Sequence, residues 1–182
     1  YDDLGDSTMR AWFTTNHDEN SWNGTEYEKY GDMAKALAVF SATWNGVPLL
    51  YSGQELGNNK RIEFFEKDPI VATDKAAEMT AFYTALLKLK STNPALNGGD
   101  KAVTTFKLKT SDPKNIFAYL RKNGNKEVLV VLNMSANKNL RFDIVDDNLK
   151  GVYKNVFSGA ANDFTTERGF EMQPWEYLVY EK

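Results

Sequence analysis

GVPLLYSGQELG, residues 46–57, sets the fold class for the first half of this chain. Its apolar part, VPLLYS at residues 47–52, is too continuous for a strand with one wet face and suits a strand covered on both faces, as in a parallel sheet. Asn45-Gly46 just before it ends a helix in the usual way, with glycine past the C-terminus. Residues 27–44 predict that helix, because Met33, Leu37, Phe40 and Trp44 fall at i, i+4, i+7 and i+11 on one stripe. Residues 10–15 ahead of it read as a short strand. Downstream, residues 53–71 are an irregular stretch of Gly, Asn and charge, with Phe64 and Phe65 expected to anchor it. Thr73-Asp74 can cap a second long helix, in which Ala76, Met79, Tyr83, Leu86 and Leu89 or Lys90 track one face. Asn93-Pro94 stops it, since the residue before a proline is pushed out of the α region.

After ALNGGD, residues 95–100, the period changes. AVTTFKLKT (102–110), IFAYLRK (116–122), EVLVVLNM (127–134), LRFDIV (140–145), VYKNVF (152–157) and WEYLVYEK (175–182) are short β-branched and aromatic runs separated by turn signals. Asn123-Gly124 among them suits a tight hairpin. Such a series predicts an antiparallel sandwich. The order is therefore β-α-β-α and then all-β, with a division near Gly98-Gly99 into units 1–97 and 98–182. Two βα units alone neither close a barrel nor make a stable doubly wound sheet. The first unit reads as part of a larger parallel α/β protein, or as one that finds partners in another molecule, including by self-association.

The bulk properties agree with a packed fold and exclude several functions. The 182 residues are 42% hydrophobic and 13% aromatic, enough for a real core. A formal charge of −3 supplies neither a basic patch for nucleic acid nor a cationic face for lipid. Without cysteine there is no disulfide framework and no thiolate metal site. The opening YDDLGDSTMR lacks a signal pattern, and no apolar run approaches a membrane span. The abrupt start reads as a cut from something longer.

AWFTTNHDEN, residues 11–20, holds the only histidine, directly before an aspartate at the end of the first strand. In parallel α/β folds functional groups gather where strands end. Asn16, His17 and Asp18 occupy that position after the first strand, and Ser52, Gln54 and Glu55 after the second. A blander reading stands beside this one: a His next to an Asp is commonly a hydrogen-bonded surface or core histidine. Ser52 lacks the Gly-x-Ser-x-Gly elbow of a nucleophile. One His among scattered carboxylates lacks metal-ligand spacing. Trp22 serves equally as a loop anchor or a sugar platform, and the sandwich aromatics (Tyr119, Tyr153, Phe157, Phe164, Trp175, Tyr177 and Tyr180) read as core before they read as a stacking surface.

FTTNHD, residues 13–18, resembles the fourth signature stretch of the α-amylase superfamily, family thirteen of the glycoside hydrolases, in which a His-Asp pair closes the seventh barrel strand. GVPLLYSGQELG is similar to that family's eighth strand, KRIEFFEKDPI (60–70) to the loop after it, and MTAFYTALLKLKSTNPAL (79–96) to the eighth helix. The all-β portion resembles the C-terminal domain that follows the barrel. The ordered set spans essentially the whole chain.

The resemblance implies a fold and a chemistry. The fold is an α/β fragment of a (β/α)8 barrel followed by an all-β antiparallel sandwich. The activity is hydrolysis of α-linked glucans such as starch, glycogen and maltooligosaccharides by a retaining mechanism. Of the family's three carboxylates only the third, a transition-state stabiliser, matches here, at Asp18. His17 would donate to a sugar hydroxyl, and Asn20 and Trp22 would contact substrate. The nucleophile and the acid/base have no counterpart in these residues, so the chain alone is expected to be inactive. A glucanotransferase, or a non-catalytic carbohydrate-binding relative, is the alternative. The expected partners are an α-glucan and the remainder of the barrel, with no nucleic acid and no membrane. No metal or other cofactor is expected in this chain, calcium being possible in the full-length enzyme. The compartment is not determined, although export fits polymer-degrading members better than the cytoplasm.

Overall fold

The computed structural model describes residues 9–182. The reading of the first eight residues, with the start of the 1–97 unit, lies outside the described residues. Two short strands, β1 (Ala11–Trp12) and β2 (Val47–Pro48), run parallel in the register Ala11↔Val47 and Trp12↔Pro48. The Val47 N–H donates to the Arg10 carbonyl at 2.9 Å and the Leu49 N–H to the Trp12 carbonyl at 2.8 Å. Both strands are shorter than the expected 10–15 and 47–52. Each has one neighbour among the described residues, so only the backbone groups facing that neighbour join a ladder. Past Leu49 the backbone turns to local partners, the Tyr51 N–H donating to the Gln54 side-chain oxygen at 2.8 Å.

The expected single helix over 27–44 is broken in two. α1 (Glu26–Tyr30) is opened by a capping box, in which the Glu28 N–H donates to Thr25 Oγ1 at 3.1 Å and the Thr25 N–H to Glu28 Oε2 at 2.7 Å. Gly31, at φ 53°, leaves the right-handed region and ends it. A 3₁₀ turn (Gly31–Met33) then leads into α2 (Ala34–Thr43). The deepest face of α2 carries Ala36, Val39 and Ala42, while Met33, Phe40 and Trp44 of the predicted stripe pack beside it, half-buried. Small residues let the helix axis approach its neighbours closely, and the large rings fill the flanks.

α3 (Ala76–Thr92) starts later than Thr73, whose hydroxyl accepts from the Lys75 N–H at 3.2 Å. It buries Met79, Phe82, Tyr83, Leu86 and Leu89, close to the predicted face. Asn93 is extended at φ −101°, ψ 110°, and its side chain accepts from the Ala95 N–H, so the helix stops where Asn-Pro predicts.

The second half is antiparallel. A six-stranded sheet has the order β3-β4-β5-β10-β7-β8. Its members are β3 (Thr104–Lys107), β4 (Ile116–Asn123), β5 (Lys126–Asn133), β7 (Val152–Asn155), β8 (Ala161–Asp163) and β10 (Tyr177–Glu181). A two-stranded ribbon, β6 (Leu140–Asp143) with β9 (Gly169–Met172), forms the second layer. Six of these strands match the six predicted runs. β8 and β9 are additional, short segments with little apolar pattern whose strand character comes from their neighbours' ladders. The predicted hairpin joins β4 to β5, with Asn123 paired to Lys126 and Gly124 at φ 60° as the first central residue. The turn pair is thus Gly124-Asn125, and Asn123 is the last strand residue.

Alternation along β5 divides the core. Val128, Val130 and Leu132 face α2 and α3, joined by Tyr119 and Val179. Leu129 and Val131 face the ribbon with Leu120, Phe142, Ile144, Phe164 and Met172. The sheet is therefore covered by helices on one face and by the ribbon on the other, which explains why EVLVVLNM is apolar at nearly every position. Of the seven sandwich aromatics Tyr119, Tyr153, Phe164 and Tyr180 are buried, and so belong to packing, whereas Trp175 and Tyr177 are half-buried and Phe157 is exposed.

Candidate functional site

The strand β1 delivers the chain into a helical turn. Asn16 starts it, its side-chain oxygen accepting from the Glu19 N–H at 2.8 Å and its carbonyl from the Asn20 N–H at 2.9 Å. His17 and Asp18 stand on that first turn with their side chains 66% and 60% exposed and Nε2 3.4 Å from Oδ2. The two consecutive acids differ sharply. Glu19 is occupied: its carboxylate takes Lys29 Nζ at 2.9 Å and Asn23 Nδ2 at 3.3 Å, and the Lys29 hydrogen bond and charge hold it below the usual carboxylate range. Asp18, among the described residues, meets only His17. Its lone pairs remain available to a ligand.

The ends of β1 and β2 are joined underneath by a buried polar network. Gln54, in the 3₁₀ turn Gln54–Leu56 after β2, points its Nε2, with two N–H groups, at three acceptors: Glu26 Oε2 at 2.7 Å, Thr14 Oγ1 at 2.9 Å and the Tyr83 hydroxyl at 3.1 Å. Thr14 donates to the same Glu26 oxygen at 2.5 Å. Glu26 and Gln54 together thus tie the β1 end, α1, the turn after β2 and α3. The ends of the two paired strands meet here at Thr14 and Gln54. Ser52 is exposed and Glu55 half-buried, with Glu55 Oε2 accepting from the Gly53 N–H at 3.1 Å.

Burial raises the Glu26 carboxyl above the usual range, against the opposing hydrogen bonds from Thr14 and Gln54 and the Lys29 charge. The folded chain therefore binds this proton more tightly than the unfolded chain does. The stabilisation is complete below the ordinary glutamate range and is lost as pH rises through the raised value. Glu26→Gln keeps an acceptor and removes the titration. Its unfolding free energy is expected to fall less than wild type's between about pH 5 and about pH 8, measured by urea unfolding at both ends. Parallel losses in the two proteins would assign the slope elsewhere.

The long loop after β2 is clamped to the turn Glu19–Asn23. Asn20 is buried, its oxygen accepting from the Ile62 N–H at 2.7 Å and its amide donating to the Lys60 carbonyl at 3.4 Å. Ser21 Oγ donates to the Ile62 carbonyl at 2.6 Å, and Arg61 Nε to Glu28 Oε2 at 3.0 Å. The clamp presents Trp22, 57% exposed, against Phe64 and Phe65, 41% and 82% exposed. The centroid of Trp22 lies 5.3 Å from Phe64 and 6.2 Å from Phe65. The His17 ring is 6.2 Å from Phe64. Phe64 and Phe65 were expected to anchor this loop; they face solvent instead, and Asn20 and Ser21 anchor it by hydrogen bonds to its backbone. Paired phenylalanines in a loop otherwise built of charge were the available sign of an exposed role. Nothing in the sequence marks Glu26 as inward-facing.

Among the described residues no group of three or more His, Cys, Asp or Glu could hold a metal ion, and no helix is long and apolar enough to cross a membrane. The family model "Alpha amylase, C-terminal all-beta domain" matches residues 109–176. Alpha-amylase 2 of Dictyoglomus thermophilum is 26% identical over 166 residues, which cover 85% of this chain and 27% of that protein. The chain thus spans about a quarter of that relative's length. A noncanonic maltogenic alpha-amylase, AmyB from Thermotoga neapolitana, superposes with a TM-score of 0.74 at 18% identity, over 96% of this chain and 41% of that one. An AmyP variant in complex with maltotriose gives 0.66 at 15% identity, over 96% and 41%.

Proposed function

Since this chain belongs to the α-amylase family, whose C-terminal all-β domain it carries at residues 109–176, we propose that it is part of an α-glucan glycosidase in which Asp18 stabilises the transition state. In this reading residues 1–97 are the last two βα units of a (β/α)8 barrel and residues 98–182 the C-terminal β-domain. The remaining strands cover the exposed Val47 and Leu49 and bring the nucleophile and the acid/base. The observation that carries the reading is the state of Asp18: exposed, beside His17, and uncommitted while its neighbour Glu19 is tied to Lys29.

The chemistry follows from that state. A retaining glycosidase passes through an oxocarbenium-like transition state between two carboxylates roughly 5 Å apart. A third carboxylate accepts hydrogen bonds from ring hydroxyls, and these contacts strengthen as the ring flattens and gains positive charge. As a like charge it also raises the acid/base pKa and helps that group keep its proton. His17 donates an imidazole N–H to a hydroxyl of the sugar undergoing cleavage. Trp22 contacts the substrate, and Asn20 acts by holding the loop beside it. No step is assigned to a metal held by this chain.

The test is kinetic. In the enzyme assembled with its remaining barrel strands, Asp18→Asn is expected to lower kcat by about 10²–10³ with KM little changed, the pattern for an interaction made in the transition state. The 182-residue chain alone is expected to release no reducing ends from soluble starch. Unchanged turnover in the assembled variant, or release by the lone chain that Asp18→Asn abolishes, would overturn the assignment.

A further inference from the structure

We propose that the cleft between α2, α3 and the strands β7 and β10 binds a quaternary ammonium group on the ring faces of Phe82, Phe157 and Tyr177. None of these residues lies on the turn that carries His17 and Asp18, and the ligand class is read from this cleft alone.

Both halves of the chain build the cleft. Lys35 stands on the first turn of α2, Glu78 and Phe82 lie one turn apart on α3, and Glu176 precedes β10, which Tyr177 opens. Phe157 is brought in by the turn after β7. There Asn155 Oδ1 accepts the Phe157 and Ser158 N–H groups, both at 2.9 Å, and the Asn155 carbonyl accepts the Gly159 N–H at 2.8 Å. Phe82 and Phe157 are inclined by only 9° with centroids 5.7 Å apart, and Tyr177 stands at 60° and 67° to them, at 5.5 and 5.4 Å. Phe82 is buried and Tyr177 half-buried, whereas Phe157 remains 38% exposed. A pinned turn thus keeps an aromatic face at the edge of a space of about 570 Å³, within the size range of small-ligand sites.

The molecule already places one ammonium here. Lys35 Nζ lies 5.6 Å from the centroid of Phe82 while it pairs with Glu78, the geometry in which a ring quadrupole attracts a cation. Among the lining residues the acids exceed the bases, Glu78 and Glu176 standing against Lys35, with Lys75 acting on Glu78 from outside the cleft. Burial and then the charges of these two carboxylates push the Tyr177 phenol above its ordinary range, so the negative potential reaches the rings. The polar groups of the lining are already occupied. Glu78 is taken by Lys35, one Glu176 oxygen accepts the Gln173 N–H at 2.6 Å, and Asn155 Oδ1 holds its two N–H groups. A sugar or a primary ammonium needs hydrogen-bond partners to replace its water. A quaternary ammonium donates no hydrogen bond and is held by ring faces and a negative field, which are what this cleft offers.

The experiment titrates the purified chain with choline at constant ionic strength, by calorimetry and saturation-transfer NMR. A parallel titration uses choline's uncharged carbon isostere, in which a tert-butyl group replaces the trimethylammonium. Choline is expected to receive saturation from aromatic protons and to bind about fivefold more tightly than the isostere, or better. Phe157→Ala is expected to weaken choline binding about fivefold or more. Phe157 is the exposed ring of the three, so its removal leaves the core intact, which circular dichroism checks. Lys35→Met removes the resident ammonium while keeping an apolar stem, and is expected to tighten binding about fivefold. Equal binding of the isostere would overturn the choice of a cation. Choline binding that Phe157→Ala does not weaken, or that Lys35→Met does not strengthen, would put the ligand elsewhere and overturn the site. No binding of choline would overturn the inference while leaving the Asp18 assignment to its own kinetic test.

Discussion

Gly46→Ala is expected to destabilise the chain by about 3–5 kcal/mol, combining backbone strain with a clash that has nowhere to relax. Gly46 sits at φ 135°, where side chains are strained, and a Cβ there would strike the Arg10 carbonyl and come within 2.8 Å of the Trp12 indole. Neither neighbour is free to yield. The Arg10 carbonyl accepts the Val47 N–H of the β1–β2 ladder, and Trp12 Nε1 donates to the Asn45 carbonyl at 2.8 Å. The other side of Gly46 is occupied as well: its carbonyl accepts Lys90 Nζ at 2.8 Å and lies where a Cβ on Gly98 would fall. Gly124→Ala is the control. Gly124 also has positive φ, at 60°, but an added Cβ there meets nothing within 4 Å, so only the left-handed cost of roughly 1–2 kcal/mol applies. Urea unfolding of both variants checks the difference, and equal losses would remove the close-approach argument.

The second large effect belongs to Gln54. Gln54→Leu preserves bulk and removes every polar contact that Gln54 makes in the buried network. Glu26 keeps Thr14 alone, the Tyr83 hydroxyl loses its partner in the turn after β2, and the Tyr51 N–H loses its acceptor. A buried carboxylate and a half-buried N–H each left short of a partner are together expected to cost about 2–4 kcal/mol. In a Glu26→Gln background the same change is expected to cost less, because no buried charge is then left behind. A double-mutant cycle measures this directly. Additive losses would mean that Glu26 and Gln54 are not energetically joined. Because the network ties the β1 end to the β2 end, the loss also loosens the segment from which His17 and Asp18 project, and so bears on the function proposed above.

Local chemistry alone predicted much of this molecule. Period, capping and turn residues located α3 and its buried face, its stop at Asn93-Pro94, the β4–β5 hairpin and six of the strands. Those features are set by residues near one another in the chain, so the sequence displays them. The His17-Asp18 pair was legible for the same reason, as an unusual pairing at a strand end within an ordered set of motifs. Gly31 lies inside the helix that the stripe of Met33, Leu37, Phe40 and Trp44 predicts. The helix breaks there because a backbone at φ 53° cannot continue it.

Sequence by itself determined the order of elements, the antiparallel character of the second half and the position of the one histidine beside an acid. Tertiary structure decided the rest, because the deciding partners are far apart in the chain. Gly98 resembles a linker residue and is instead a point of backbone contact with Gly46. β8 and β9 are strands because their neighbours offer ladders. Glu26 turns inward to meet Thr14 and Gln54, while Phe64 and Phe65, the expected anchors, turn outward once Asn20 and Ser21 hold the loop from beneath. A pattern of residue types states what each side chain prefers; which preference is met depends on the groups that folding brings alongside it.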